Sequence, residues 1–588
     1  MAHMPDSASD SVLAQLFTRQ DLAGSVSWFS IPGGQTLFES GERADQLFLL
    51  RTGRLAAIRR DEGQEPRFLG VIRPGEPAGE MAMISGAAHT AAVVAIRDSE
   101  ILAISRETFF AAVAQDPAVM IELARLMILR ARQASGGAAV GAPSVFGFVA
   151  AQSGVDVRAL VEGIGAEIEA LGFSVVTAGE EVLRAPTEWF TNVEQANDFV
   201  LYAAEIDEHA WKHLVSRQVD RLFRIGLGSA PPPLNLDLSG AEPLRNQALI
   251  DLILLQPSDI KRPLGAEAWI DRIRPARLFH LREHHLGDTQ RIARILTGTS
   301  VGLVLSGGGA RAYAHVGAIR ALRSSGLPID FVGGSSMGAI VAAAVAMGWE
   351  DDEIDLRIRK AFVDSSPVDD VALPLLAMTR GEKVGKRLYE NFGEQQIADL
   401  WLPFFSIASN LTSGSYQVDR RGGLCQALRA SIAIPGLLPP VIQGEDVLVD
   451  GAVMKNLPTD VMRAMHLGPV VGVDVTVGRS ITASDVAKPA SVWRWLLSGD
   501  WRKGPPMVSL LLRAATVSTA RDLKASREAT DLLVLPQMEN VEIRDWRAYD
   551  RAVEAGRRGM EKALSRLSRP LTDMRRRASL LDAPVKKP

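Results

Sequence analysis

The pattern of apolar and polar positions changes character several times along the chain, and each change marks a candidate domain. Residues 11–23 carry a short helical pattern. From Trp28 to about Arg106 the apolar runs are short and broken by glycine, as in Gln46-Leu47-Phe48-Leu49-Leu50, a turn at Gly53, then Leu55-Ala56-Ala57-Ile58. Regular glycine turns between short apolar runs predict a small β barrel or roll. Glu107 to Arg132 switches to helical spacing, and Ser135-Gly136-Gly137-Ala138-Ala139 reads as a linker.

Beyond residue 144 the runs become continuous. Val145-Phe146-Gly147-Phe148-Val149-Ala150, Phe173-Ser174-Val175-Val176, Phe199-Val200-Leu201-Tyr202-Ala203 and Leu252-Ile253-Leu254-Leu255 read as buried strands, with a helix near Val157–Leu171. Strands alternating with helices predict an α/β unit. A second α/β pattern follows, with strands expected at 301–305, 329–333, 404–409, 447–449 and 470–474. After Trp493 the chain turns amphipathic and aromatic, and it ends in a basic tail from Arg575 to Lys587 that is expected to be disordered. The expected division is 11–134, a β-roll plus helices; 144–298, a middle α/β unit; 301–480, an α/β domain with a central, mostly parallel sheet; 481–570, its helical and aromatic extension; and 571–588, the tail.

Composition narrows the classes. With 588 residues the chain is long enough for several cores. A net charge of -4 argues against a nucleic-acid partner. The single cysteine, Cys425, excludes an internal disulfide, and a reducing cytoplasm fits. Neither a signal peptide nor an apolar run of about 18 residues is apparent. The His284-His285 pair has no partners at ligand spacing and reads as ordinary loop residues. No metal and no cofactor is expected.

The chemistry concentrates between residues 301 and 452. An apolar strand, Val301-Gly302-Leu303-Val304-Leu305, runs into Ser306-Gly307-Gly308-Gly309-Ala310-Arg311 and a helix expected from Ala310 to Leu322. A second strand leads into Gly334-Ser335-Ser336-Met337-Gly338 and a helix from Met337 to Met347. In a G-x-S-x-G turn the serine sits on a tight strand-to-helix bend. Gly334 and Gly338 permit the close approach, and the helix N-terminus adds positive potential. A serine hydroxyl still needs a base. Of nine histidines only His466 follows Ser336, and it reads as the cap of a helix C-terminus. Asp450, closing a strand against Gly451, is the better candidate. Desolvation beside the serine raises a carboxylate's pKa and improves its proton uptake. A Ser336–Asp450 dyad is therefore expected, with Gly307, Gly308 and Gly309 supplying backbone N–H groups to an oxyanion. A dinucleotide site is the natural competitor for the glycine loop, but Ala312 stands at the last glycine position of that motif. Arg311 is expected either to hold the glycine loop or to meet a phosphate headgroup, and His315 reads as a buried structural histidine.

Taken together, Gly307-Gly308-Gly309-Ala310-Arg311, His315-Val316-Gly317, Gly334-x-Ser336-x-Gly338 and Asp450-Gly451-Ala452 resemble the patatin-like phospholipase family. Arg429-Ala430-Ser431-Ile432-Ala433-Ile434-Pro435-Gly436 and Asn456-Leu457-Pro458 are similar to further blocks of it. Upstream, Trp211, Arg217-Gln218-Val219-Asp220 and Arg291-Ile292-Ala293-Arg294 resemble the neuropathy target esterase branch. That branch joins cyclic-nucleotide-binding-like domains to a patatin-like α/β domain. The resemblance implies a metal-free serine esterase acting on phospholipids or lysophospholipids. Residues 28–130 resemble a cyclic-nucleotide-binding domain, with Pro77-Ala78-Gly79-Glu80-Met81-Ala82 as its phosphate cassette and Glu80 at the ribose hydroxyl. His89 stands where the family places an arginine, and a neutral histidine loses the bidentate contact with the cyclic phosphate. Two readings of that domain stay open, a nucleotide site and a domain kept for packing or for a partner.

Trp493, Trp495 and Trp501, with Arg494, Arg502 and Lys503, suit a membrane interface. The expectation is a cytoplasmic lipid hydrolase peripheral to the inner face of the cell membrane. Two alternatives compete with it: a regulatory or scaffold protein with a vestigial hydrolase site, and a soluble esterase for small acyl esters.

Overall fold

The computed structural model describes residues 15–17, 19–22, 24–59, 67–136, 143–185, 187–234, 250–364, 370, 377–476, 520–538, 541–543 and 545–572. The expected interfacial tryptophans, Trp493, Trp495 and Trp501, and all but the first two residues of the basic tail lie outside them. Two compact units form, one of residues 1–260 with 264–297 and one of 261–263 with 298–588.

The first unit begins with an antiparallel roll. Its strands lie in the order Val26–Ile31, Ala92–Ser105, Gln46–Arg59, Arg67–Ile72, with Thr36–Phe38 and Pro77–Ala78 paired at the side. The glycine-broken pattern becomes two long curved strands with register shifts, at Thr52 and Arg54 among others. Alternate residues such as Leu47 and Leu49 pack with Ile104, Phe109 and Leu123. The same unit carries a six-stranded sheet, ordered Arg277–Arg282, Ile250–Gln256, Arg221–Leu227, Val145–Ala150, Phe199–Ala204, Val175–Ala178. Every pairing in it is parallel. Covered on both faces, such strands are apolar throughout, and all six residues of Val145–Ala150 are buried. The strand expected from Phe173 begins instead at Val175 and ends at Ala178. Asp156 caps the helix Val157–Ala170 by accepting from the Ala159 amide at 2.9 Å. Arg221–Leu227 was not legible as a strand, because Arg221 and Arg224 interrupt its apolar run. Arg221 is tied down by a pair with Asp251, at 2.5 Å.

The second unit is built on an eight-stranded, mixed sheet. Its path is Val441–Gln443, Asp446–Asp450, Phe404–Asn410, Phe331–Ser335, Gly302–Leu305, Val470–Val473, Leu532–Val534, and Ser415–Asp419 pairs with Phe404–Asn410. The five strands from Phe404–Asn410 to Leu532–Val534 run parallel, and the remaining pairings in the sheet are antiparallel. Helix Met337–Ala346 is apolar on every side and wholly buried, as the core helix of a layered domain must be. The helix expected from Ala310 starts later. Residues Gly309–Tyr313 form a tight 3-10 turn, and Ala314–Ser324 continue as the α-helix. Among the described residues no helix is long and apolar enough to cross a membrane.

Candidate active site

The register of the second sheet brings the two expected catalytic side chains together. Strand Phe331–Ser335 pairs with Phe404–Asn410 only as far as Ser335 opposite Ile407. There the chain leaves the sheet at Ser336 and enters helix Met337–Ala346. The vacated edge, from Ala408 onward, is taken by Asp446–Asp450 running antiparallel, with Asp450 opposite Ala408. One strand thus presents Ser336 and Asp450 side by side, although they are 114 positions apart.

The bend at Ser336 is sharp. Its φ of 53° is positive, rare for a residue with a side chain, and strain of that kind gathers at functional turns. Gly338 makes the bend possible, because a side chain there would strike the carbonyls of Leu305 and Ser306. The serine hydroxyl donates to Asp450 Oδ2 at 2.6 Å, while the other carboxylate oxygen, Oδ1, accepts from the Ala452 amide at 2.8 Å. A Cβ on Gly451 would run into the Ile407 carbonyl, so glycine lets the chain turn directly behind the carboxylate. Burial pushes the Asp450 carboxyl up to about 7, although the hydrogen bonds from Ser336 and Ala452 pull it down. Among the described residues no lysine, arginine or histidine forms an ion pair with it.

The glycine loop lies against Ser336. A Cβ on Gly307 would stand 2.8 Å from Ser336 Cβ. The three expected donors are not equivalent. The Gly307 amide donates to Asn456 Oδ1 at 3.0 Å, whereas the Gly308 and Gly309 amides have no protein acceptor among the described residues. Gly309 takes a φ of 55° and leads into the 3-10 turn. The far end of the loop is anchored by the C-terminal part of the chain. Ala310 N donates to Ile543 O at 2.8 Å, and Arg311 Nε to Val541 O at 2.7 Å. Arg311 therefore braces the loop.

Other side chains fall where the sequence could not place them. Ser431 Oγ accepts from the Ser336 amide at 2.9 Å and donates to Ile407 O at 2.6 Å, tying the Ser336 backbone to the sheet. Asn456 and Ser431 both stand in blocks that the family resemblance had marked, but nothing local gave either a role. His315 is fully buried behind the loop, its Nε2 2.8 Å from Ser306 O. His466 stacks on Phe331, ring centroids 4.8 Å apart, at the opposite end of strand Phe331–Ser335 from Ser336. Among the described residues no histidine therefore pairs with Ser336.

In the roll, Gly79 has a φ of 85° and opens the short helix Glu80–Ser85. Glu80 is buried. The His89 ring stacks on Phe38, centroids 3.8 Å apart, within reach of Gly79. Gly79, Glu80 and His89 are thus brought together, and burial lowers the His89 pKa and favours its neutral form.

The family model for patatin-like phospholipases matches residues 303–463, and that for cyclic nucleotide-binding domains matches residues 28–116. An uncharacterised NTE family protein of Mycobacterium tuberculosis is 32% identical over 571 residues, covering 92% of this chain and 93% of its own. Human patatin-like phospholipase domain-containing protein 6 is 26% identical, with 94% of this chain and 45% of that protein aligned. Neuropathy target esterase sws of Drosophila melanogaster is 25% identical, with 85% of this chain and 40% of that protein aligned. The chain therefore spans less than half of each of these two animal relatives. A hydrolase fold with its serine turn, carboxylate and glycine loop assembled, preceded by a nucleotide-binding-type roll, places this chain in the NTE family of patatin-like hydrolases.

Proposed function

We propose that the protein is a serine esterase that cleaves acyl esters of phospholipids or lysophospholipids with Ser336 as nucleophile and Asp450 as its base. The observation that carries this reading is the 2.6 Å hydrogen bond from Ser336 Oγ to a buried carboxylate whose pKa stands near 7. Such a group takes up and returns a proton near neutrality, where an ordinary aspartate is too weak a base.

The steps balance as follows. Ser336 Oγ bonds to the ester carbonyl carbon as its proton passes to Asp450, and the carbonyl oxygen becomes an oxyanion. The amides of Gly308 and Gly309 face that charge. Losing one such donor typically costs about 3–4 kcal/mol of transition-state stabilisation. Collapse of the adduct breaks the bond to the alcohol oxygen, which leaves with the proton from Asp450. Water then attacks the acyl-serine, gives its proton to Asp450, and the fatty acid departs as Ser336 is reprotonated. No step requires a metal.

A fluorophosphonate probe tests the nucleophile: it labels the wild-type protein and leaves Ser336→Ala unlabelled. Equal labelling of both removes the proposal. A lipid panel compared with short-chain soluble esters tests the substrate class. Faster turnover of micellar lysolipid supports a lipid substrate, and a preference for short soluble esters replaces it with a small-ester reading.

A further inference from the structure

The peptide unit between Ser306 and Gly307 is gripped at both ends by side chains from elsewhere in the chain. Its carbonyl, Ser306 O, accepts from His315 Nε2 at 2.8 Å. Its N–H, on Gly307, donates to Asn456 Oδ1 at 3.0 Å. A carbonyl can only accept, so His315 must carry its proton on Nε2. The ring is fully buried, its Nδ1 has no partner among the described residues, and burial lowers its pKa to about 4. It is therefore a neutral ring committed to a single hydrogen bond. Ser306 is fixed independently, because its N–H donates to Val473 O at 3.1 Å and its Oγ accepts from the Val475 amide at 3.0 Å.

This peptide is the last one before the Gly308 and Gly309 amides. Glycine imposes little conformational preference of its own, so the direction of those N–H groups has to be set from outside the loop. The clamp at Ser306–Gly307 sets one end. The Ala310–Ile543 and Arg311–Val541 bonds set the other.

We propose that Asn456 and His315 are positioning residues that act as one two-ended clamp, turning the Gly307 amide away from the substrate and aiming the Gly308 and Gly309 amides at the oxyanion. The proposal rests on the Ser336–Asp450 reading above. Neither clamp residue touches the reacting ester, and both act through the same peptide plane.

The test uses the full chain and four variants, Asn456→Ala, His315→Phe, His315→Gln and the double Asn456→Ala/His315→Phe, with lysolipid turnover and fluorophosphonate labelling as readouts. Misaimed donors lower kcat by about 10- to 100-fold with KM nearly unchanged. Labelling slows by a similar factor yet still reaches the wild-type stoichiometry, because Ser336 is intact. Glutamine can offer an N–H at similar reach, so His315→Gln recovers most of the loss. The double variant is no slower than the worse single one, since each change releases the same peptide.

Wild-type kcat in Asn456→Ala overturns the clamp, and that half-buried site keeps the test valid if His315→Phe fails to fold. A rise in KM at unchanged kcat overturns it too, by making Asn456 a substrate contact. Losses that multiply in the double variant overturn it by showing two separate roles. Full labelling of Ser336→Ala would instead sink the underlying reading of the site.

Discussion

Two aspartates in this molecule are equally buried and oppositely charged in tendency. Asp220, in the first unit, and Asp450, in the second, are each 1% exposed. Burial raises the pKa of both. Asp220 nevertheless ends below the ordinary carboxylate range, because Arg54 Nη1 at 2.9 Å, Arg97 Nη2 at 3.2 Å and the amides of Ser144 and Val145 all favour its anion. Glu194 completes that cluster, 2.5 Å from Arg97, and ties the roll's arginines to the parallel-sheet half of the same unit. Asp450 has one hydroxyl and one amide and no guanidinium, and it ends near 7. Depth of burial is therefore not what separates a structural carboxylate from a chemical one. The presence or absence of a buried counter-charge is.

The sharpest way to break this contrast is the same substitution at both sites. Asp450→Asn keeps shape but removes the proposed base, and kcat should fall about 10²–10⁴-fold with the protein still folded. Near-normal turnover would mean that Ser336 is activated by something else. Asp220→Asn leaves Arg54 and Arg97 facing an uncharged partner, and destabilisation of roughly 3–5 kcal/mol is expected, read from urea unfolding of the full chain.

The pH dependence should also have opposite signs. Asp450 has a raised folded pKa, so its contribution to stability is fully present below about 3.8 and is lost as pH rises towards about 7. Asp450→Asn should then match wild-type stability near pH 4 and exceed it, by up to about 4 kcal/mol, near pH 8. The contribution of Asp220, whose folded pKa is depressed, is present above the unfolded value of 3.8 and is lost as pH falls below it. Activity should follow the Asp450 carboxylate, with kcat/KM rising about tenfold per unit up to about pH 7 and then levelling. A profile flat from pH 5 to 8 would contradict the raised pKa.

The smallest effect is expected at His466. Its Nδ1 accepts from the Gly468 amide at 3.1 Å, and its ring stacks on Phe331. His466→Gln should leave kcat within about twofold while costing stability by about 1 kcal/mol. A large loss of kcat at unchanged stability would reopen a triad.

Much of the site was legible because its chemistry is local. The bend at Ser336 needs glycines at 334 and 338, and a donor loop needs the three glycines at 307–309, so these short-range requirements are written in adjacent letters. Asp450-Gly451 was legible for the same reason. The division of labour within the glycine loop was not, since it depends on Asn456 capturing one amide, and no local pattern announces a contact over 149 positions. Strand Arg221–Leu227 escaped detection because its arginines break the apolar run, and only the buried Asp251 makes one of them acceptable there.

The linear sequence by itself determined the choice of candidate reactive groups and the backbone freedom around them, because both are properties of individual residues and their immediate neighbours. Tertiary structure alone decided the protonation behaviour of each carboxylate and which amides stay free, because desolvation, counter-charge and hydrogen-bond capture depend on what the fold carries to within about 3 Å.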